Sequence, residues 1–193
     1  NEPDSVEFLS GIFEGKTTGA PIAMIVENKD QDSSKYDNLK DIFRPGHADF
    51  TFFKKFGIRD HRGGGRTSGR ETIGRVASGA LAKKIINDMG IRVIAYTLKI
   101  GNVIANKVDY DVIEKNAVRC CDMDAAIKME SLIVQAKGEG NSLGGVVGVE
   151  IKGLSAGIGD PIFGKLNARI GSALLSIGSV KGIEFGLGFE FAN

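Results

Sequence analysis

The pattern of hydrophobic and polar positions predicts both strands and helices along this chain. Over some short stretches, branched apolar residues alternate with polar ones or run together, as in half-buried or buried strands. Elsewhere apolar residues recur every three to four positions, as on one face of a helix. The predicted strands are Val6 to Leu9, Ile22 to Glu27, Arg92 to Ile100, Gly144 to Ile151 and Ile183 to Phe185. The first two are expected to form a hairpin through Gly15 to Gly19.

The clearest helix is predicted to begin after Ser68 and to stop at Gly90. Ser68 and Glu71 have the spacing of a capping box, in which each side chain accepts a hydrogen bond from an early backbone N–H of the helix. Glycine is common just past a helix end. The apolar stripe between them consists of Ile73, Val76, Ala77, Ala80, Leu81 and Ile85.

Two more helices are predicted. The first runs from Asp122 to about Ala136, with Ala126, Met129, Leu132 and Ile133 on one stripe, and the second runs from Pro161 to Ser176. Asn28 to Leu39 is polar throughout and is expected to be a surface loop or lid, and Arg44 to Gly65 has no clear period. Helices and strands follow one another without regular alternation, so the predicted fold class is α+β and not a doubly wound parallel sheet. No internal repeat is found, and no separate domain boundary is predicted within residues 1–193.

Composition narrows the classes of protein to consider. Apolar residues make up 42% and charged residues 25%, as in soluble globular domains. A net charge of +1 gives no general attraction to nucleic acid or to a membrane surface, and no apolar run reaches the length of a membrane span. Cys120 and Cys121 are adjacent and form no disulfide framework, which predicts a reducing, cytoplasmic compartment.

The segment from Arg44 to Asp49 brings a guanidinium, an imidazole and a carboxylate within six residues. Pro45 and Gly46 restrict the backbone between them. His47 can move a proton near neutral pH with little tuning, so it is a candidate acid–base residue. A turn whose histidine only caps backbone groups has the same sequence, and both interpretations stay open.

The segment from Gly63 to Arg70 has the features of an anion site. Glycines and hydroxyl residues lie at a predicted helix N-terminus, where N–H groups and the helix dipole attract negative charge. Arg66 and Arg70 can add forked bonds to phosphate. An ordinary loop before a capped helix is the alternative. The segment lacks the P-loop pattern and follows no strand, which excludes the two common nucleotide fingerprints.

RNA binding through the Arg/Gly segment is a third alternative. The nearby aromatics look like packing residues, and the net charge of +1 provides no wider basic face. These aromatics are Phe50, Phe52, Phe53 and Phe56.

Five segments together resemble one known family, chorismate synthase. They are Gly15 to Ile22, Phe43 to Asp49, Gly63 to Arg75, Asn141 to Val147 and Ser176 to Gly182. The resemblance covers nearly the whole chain. It implies a β-α-β sandwich, here incomplete, with the chain as the central portion of a single domain.

The resemblance also implies an activity. Such a lyase removes phosphate and a proton from 5-enolpyruvylshikimate 3-phosphate to give chorismate, the last common step of aromatic amino acid biosynthesis. It needs reduced FMN although there is no net redox change. NADPH is a reductant to consider for the full-length protein. A cytoplasmic homotetramer that binds neither nucleic acid nor a membrane is expected, and no metal site is predicted.

Site residues are carried over by motif. His47 resembles the catalytic histidine that exchanges a proton with the reduced flavin. Arg44 and Arg70 resemble arginines that hold the anionic groups of the substrate. The positions that resemble flavin contacts are Arg66, Thr67, Ser68, Gly178 and Ser179.

Several departures bear on that transfer. Gly69 stands for the usual alanine, Asn141 for an aspartate, and Gly178-Ser179 for Asn-Ala, which removes an amide. The family's N-terminal segment with a second catalytic histidine and its C-terminal flavin segment are expected to be missing, and His61 is expected to be a surface or interface residue. A catalytically incomplete flavin- or anion-binding fragment that serves as a structural core is therefore the alternative function.

Overall fold

The structure is a computed structural model that describes residues 4–29, 32–62 and 69–193. Its chain divides into two compact units, with one boundary inside a helix and the other in a connecting segment. The first unit comprises Asn1–Leu81 and Ile158–Asn193, and the second comprises Ala82–Gly157. Helices occur together with antiparallel strands, so the predicted α+β class is confirmed. In the described part of the chain, no helix is long and apolar enough to cross a membrane.

The first unit begins with the predicted hairpin, in a more elaborate form. Strand β1 (Glu7–Phe8) pairs antiparallel with β4 (Met24–Ile25). Between them, β2 (Ile12–Phe13) pairs with β3 (Lys16–Thr17) across a turn that contains Gly15 at a φ of 74°. The left-handed backbone there explains the glycine, because a Cβ disfavours positive φ. The strands are shorter than predicted.

Two helical segments follow that the sequence did not predict. The polar stretch expected to be a loop contains a 3₁₀ helix over Ser33–Leu39, and Asp32 caps it by accepting a hydrogen bond from the backbone N–H of Ser34. Helix α1 (Asp49–Phe56) lies in the stretch without a clear period and ends at Gly57, which has a φ of 71°. The first segment is capped by a local side-chain bond and the second is only eight residues long, and hydrophobic periodicity reveals neither feature.

The most clearly predicted helix is confirmed as α2 (Thr72–Asp88), preceded by one 3₁₀ turn over Gly69–Glu71. Gly90 follows it with a φ of 80°, as expected of a C-terminal stop. Ser68 lies outside the described residues, so the capping box stays a prediction. Within this chain the predicted apolar stripe is not a core face, since the side chain of Val76 is 71% exposed and that of Ile85 58%.

One helix start and one strand near the C-terminal end were predicted wrongly. Helix α4 spans Leu166–Leu175 and does not begin at Pro161, because Ile162 has a φ of 68°, which is incompatible with a right-handed helix. Ile183 to Phe185 is irregular and not a strand, and a 3₁₀ helix follows over Gly188–Ala192. Among the described strands, none pairs with that stretch.

The second unit contains a three-stranded antiparallel sheet with the order β6-β5-β7. Strand β5 (Arg92–Ile100) is central, β6 (Val103–Ile104) returns from it directly, and β7 (Gly145–Lys152) pairs along its other side. The register runs from Arg92 opposite Lys152 to Ile100 opposite Gly145, with one irregularity at Thr97 to Lys99. Both long strands match their predicted positions.

Helix α3 (Met123–Gly138) provides the buried core of the second unit. Ala126 and Met129, both predicted on its apolar stripe, are fully buried. The stripe also includes Ala125 and Ala136, whereas the predicted member Ile133 is exposed. Cys120 packs in the same cluster, and both cysteines are free thiols, as expected. Burial and nearby charges raise the pKa of the Cys121 thiol.

Asp122 joins the start of α3 to a distant segment. One carboxylate oxygen accepts from the backbone N–H groups of Asp124 at 3.0 Å and Ala125 at 3.2 Å. The other accepts from those of Asn106 at 3.0 Å and Lys107 at 3.2 Å. These bonds, the one from Asn106 foremost, hold the pKa of the buried Asp122 carboxyl below its usual value. The carboxylate is therefore both a helix cap and a tertiary contact.

Candidate active site

The segment from Arg44 to His47 forms a tight turn in the first unit. The backbone N–H of His47 donates to the carbonyl of Arg44 at 3.3 Å, and Gly46 has a φ of 73°. Proline at the second position and left-handed glycine at the third are the residues that a type II turn requires. His47 therefore follows a rigid turn and stands two residues before α1.

The imidazole of His47 is exposed and has a defined hydrogen bond. Its Nδ1 lies 3.0 Å from the carbonyl oxygen of Pro45. A carbonyl can only accept a hydrogen bond, so Nδ1 carries the hydrogen and donates it. In the neutral ring, Nε2 is then the unprotonated nitrogen, free to take a proton from another molecule.

The carboxylate of Asp49 binds Arg44, the first residue of this turn. Its Oδ2 accepts from Nε of Arg44 at 2.9 Å and from the backbone N–H of Arg44 at 3.2 Å, while Oδ1 accepts from Nη2 at 3.0 Å. The Asp49 side chain is 3% exposed and that of Arg44 is 23% exposed. The hydrogen bonds to Arg44 hold the pKa of the Asp49 carboxyl well below its usual range, and the same bonds raise the pKa of Arg44.

Arg59 is a site residue that the sequence did not reveal. Its Nη1 donates to Oδ2 of Asp49 at 2.9 Å and to the carbonyl of Ile42 at 2.8 Å. Its Nη2 donates to the carbonyls of Leu39 at 2.7 Å and Lys40 at 2.6 Å. The side chain is only 9% exposed. Arg59 follows Asp49 by ten positions in a stretch where the sequence shows no period, so no sequence signal joins them.

Arg70 lies where predicted, in the turn that leads into α2. Its Nη2 donates to Oδ1 of Asp4 at 2.7 Å and to the carbonyl of Glu27 at 3.1 Å. These contacts connect the beginning of α2 to the N-terminal segments of the first unit. The predicted flavin contacts Arg66, Thr67 and Ser68 lie outside the described residues.

Gly178 and Ser179 are the central residues of a turn after α4. The backbone N–H of Val180 donates to the carbonyl of Ile177 at 3.3 Å, and Ser179 has a φ of 69°. A Cβ placed on Gly178 would have no heavy atom within 4 Å, so the chain leaves open space there. Arg75 of α2 secures the turn, because its Nη2 donates to the carbonyl and the hydroxyl of Ser176, both at 3.1 Å.

The second unit has a separate cleft of about 580 Å³ between β5, α3 and the start of β7. It is lined by Lys99, Lys137 and the segment from Asn141 to Val147, among others. Of the predicted site residues that the structure describes, none lines it. Its volume alone therefore gives no reason to move the candidate site away from the histidine and arginines of the first unit.

Comparison with known proteins decides the family. The sequence profile of chorismate synthase matches residues 1–193. The chain belongs to the chorismate synthase family. A chorismate synthase of Phocaeicola vulgatus is 56% identical over 98% of this chain, and one of Methanococcoides burtonii is 55% identical over 100% of it. In each case 54% of the relative is covered.

The likeness extends to the fold. A crystal structure of chorismate synthase superposes with a TM-score of 0.82 at 32% identity, over 98% of this chain and 56% of that one. The predicted chorismate synthase fold is therefore confirmed. The chain spans about half the length of the curated relatives it matches.

Proposed function

We propose that the protein carrying this chain is a chorismate synthase. It would eliminate phosphate and a proton from 5-enolpyruvylshikimate 3-phosphate to form chorismate, the last common step of aromatic amino acid biosynthesis. Membership of the family supports this activity. The observation that carries the proposal to the residue level is the turn from Arg44 to His47, which presents an exposed imidazole beside a paired guanidinium.

His47 is proposed as the proton-transferring residue. Its Nδ1 is occupied by the carbonyl of Pro45, so the proton would be taken and returned at Nε2. The imidazole is exposed, so another molecule can reach Nε2 to give or take a proton. A turn that holds the backbone on both sides keeps that nitrogen in one place.

Arg44 and Arg70 are proposed to bind the anionic groups of the substrate. Asp49 is paired with both Arg44 and Arg59, so this cluster of two guanidinium groups and one carboxylate has a net charge of +1. Arg70 lies at the start of α2, where the helix dipole adds to its positive charge. Positive charge held in place in this way stabilises phosphate as negative charge develops on it.

The described residues fit a flavin at the turn of Gly178 and Ser179. The open space above Gly178 allows a planar ring to approach the backbone closely. Ser179 adopts a left-handed backbone that costs about 1–2 kcal/mol for a residue with a Cβ, and such costs persist mainly where function needs the geometry. Arg66, Thr67 and Ser68 are proposed to complete the contacts. Reduced FMN, when bound, supplies an electron transiently to the substrate.

Further features of the family extend the proposal. The chain is proposed to be the central portion of one domain, and the whole protein to be a cytoplasmic homotetramer. Two free, buried thiols, Cys120 and Cys121, support a reducing compartment. NADPH is proposed as the reductant of the flavin in the full-length protein. Binding of nucleic acid is not part of the proposal, since the net charge is only +1.

The direct test is titration of the 193-residue chain with FMN, with and without 5-enolpyruvylshikimate 3-phosphate, followed by flavin fluorescence. Substrate-enhanced flavin binding supports a half-site assembled by this chain. A variant with Gly178 changed to Asn, the residue that the family usually has there, should strengthen that binding, because the side chain has open space and its amide can bond the flavin. Val76→Ala on α2 should leave the binding unchanged. No flavin binding by the wild-type chain would favour the alternative function, a structural core.

The activity itself is measured in the full-length protein. Anaerobic turnover with chemically reduced FMN should release chorismate and phosphate in equal amounts. Absence of both products under those conditions would overturn the proposed function.

A further inference from the structure

Arg59 connects three parts of the first unit through one side chain. Each of its two Nη atoms donates two hydrogen bonds. The acceptors are the carbonyls of Leu39 and Lys40 at the end of the 3₁₀ helix, the carbonyl of Ile42 and the carboxylate of Asp49. The guanidinium also lies over the ring of Phe43, 5.2 Å from its centroid. With 9% of the side chain exposed, this arginine is built into the fold and does not face solvent.

Asp49 receives the bond from Arg59 on the same oxygen that holds Arg44. Oδ2 accepts from Arg59 Nη1 at 2.9 Å and from Arg44 Nε at 2.9 Å. The position of this carboxylate therefore depends on both guanidinium groups. Asp49 is also the first residue of α1. Its side chain therefore binds the two arginines, while its backbone belongs to the helix that follows the turn.

His47 lies between these two fixed points. On one side its backbone N–H bonds to Arg44, whose side chain and own N–H are held by Asp49. On the other side only Ala48 separates it from Asp49. The imidazole is exposed, and the bond from its Nδ1 to Pro45 requires the turn to keep its shape. An exposed ring with one short-range bond keeps one orientation only if the backbone that carries it is held in place.

We propose that Arg59 and Asp49 are positioning residues for His47. They hold the turn of Arg44 to His47 so that Nδ1 of His47 stays bonded to Pro45 and Nε2 remains the nitrogen that accepts a proton. The inference deepens the proposed function and rests on it for its catalytic meaning. Lysine cannot replace Arg59, because an ammonium group lacks the planar fork that reaches a carboxylate and three carbonyls together.

The test compares Arg59→Lys with Arg62→Lys. Arg62 is an exposed arginine of the same stretch that pairs with Asp60, so its change controls for loss of a guanidinium. The chain has only two histidines, and two-bond ¹H–¹⁵N correlation spectra report which nitrogen of each carries the hydrogen. His61 serves as the internal reference.

In the wild-type chain and in Arg62→Lys, His47 should be in the Nδ1–H form. In Arg59→Lys, with circular dichroism unchanged, His47 should shift toward the Nε2–H form that exposed histidines prefer, while His61 is unaffected. In the full-length protein, turnover by Arg59→Lys should fall about tenfold to a hundredfold, as for a catalytic group displaced by a fraction of an ångström to 1 Å.

Two results would overturn the inference. One is an Nε2–H form of His47 in the wild type, and the other is an unchanged His47 spectrum in a folded Arg59→Lys. If Arg59→Lys does not fold, Asp49→Glu keeps the charge but moves the carboxylate by one methylene, and the same shift of His47 is required of it. A shift of His47 in a protein that forms no chorismate would leave positioning intact and reject the proposed function. Normal turnover by Arg59→Lys alongside an inactive His47 variant would reject positioning alone.

Discussion

Arg44 and Asp49 are joined through both oxygens of the carboxylate, with Nε 2.9 Å from Oδ2 and Nη2 3.0 Å from Oδ1. The arginine expected to hold the substrate's negative charge is thus already engaged by a carboxylate of its own chain. The pair is not neutral in its surroundings, because Arg59 shares Asp49 and adds a second positive charge. An anion near Arg44 would meet a guanidinium whose orientation is fixed and whose charge is not cancelled.

Replacing His47 by alanine in the full-length protein should lower turnover about 10²- to 10⁴-fold, the usual contribution of a general acid–base group. The imidazole is exposed, so the free energy of unfolding should change by no more than about 0.5 kcal/mol. His61→Ala is the matched control and should keep wild-type turnover. Near-normal turnover by His47→Ala would remove this residue from the mechanism.

Replacing Arg70 by alanine should weaken binding of 5-enolpyruvylshikimate 3-phosphate by about 1.5 to 3 kcal/mol, as for a lost charge-assisted hydrogen bond. Calorimetry on the full-length protein measures this. Asp4→Asn is the control, because it removes the 2.7 Å ion pair but keeps the guanidinium. If Asp4→Asn weakens binding as much as Arg70→Ala does, the role of Arg70 is to hold the N-terminal segment and not the substrate.

Asp49 should make the stability of the chain sensitive to acid. Its folded-state pKa lies below the usual value of 3.8, so its contribution is complete above about pH 4 and is lost as pH falls from there toward the folded-state pKa. Asp49→Asn should lower the free energy of unfolding at neutral pH by about 3–5 kcal/mol, the cost of breaking a buried pair, and should flatten the acid limb.

Denaturant titrations of both proteins between pH 2 and 7 give the comparison for Asp49. Parallel acid limbs for the wild type and Asp49→Asn would show that other carboxylates carry the acid sensitivity. Asp60→Asn provides a reference, because that exposed carboxylate also has its pKa lowered by an arginine, Arg62, but lies at the surface.

Met129 should contribute strongly to the core of the second unit. It is fully buried against Cys120 and Ala126, so Met129→Ala should leave a cavity and lower the free energy of unfolding by about 2–5 kcal/mol. Ile127→Ala on the same helix, at a side chain 61% exposed, should change it by about 0.5 kcal/mol or less. Equal effects of the two changes in urea titrations would contradict the burial described for α3.

The sequence predicted those strands and helices whose apolar residues recur at a regular spacing. β5, β7 and α3 were placed to within about two residues, because alternation and helical spacing reflect which side chains a sheet or a helix buries. α1 was missed because its eight residues are too few to show a helical period clearly, and three of its phenylalanines remain exposed. α4 was predicted too long because Ile162, an apolar residue at helical spacing, has a left-handed backbone that spacing alone cannot reveal.

Some residues of the candidate site could likewise be predicted from the sequence, and others could not. His47 and Arg44 could be selected from the sequence because the proline and the glycine between them predict a tight turn. Arg59 could not, since its four acceptors lie 10 to 20 positions away along the chain and three of them are backbone carbonyls, which every residue has. Only folding makes those carbonyls a site for an arginine.

The four backbone bonds of Asp122 limit which residues can occupy that position. Each oxygen accepts from two N–H groups, so all of its partners are donors. Asparagine has nearly the same shape, but its amide nitrogen would face two donors that it cannot accept from, whichever way the group is turned. Glutamate keeps both oxygens but carries them one carbon farther out. Few substitutions of Asp122 should therefore give a folded protein, although this residue lies in the unit that contains no proposed catalytic group.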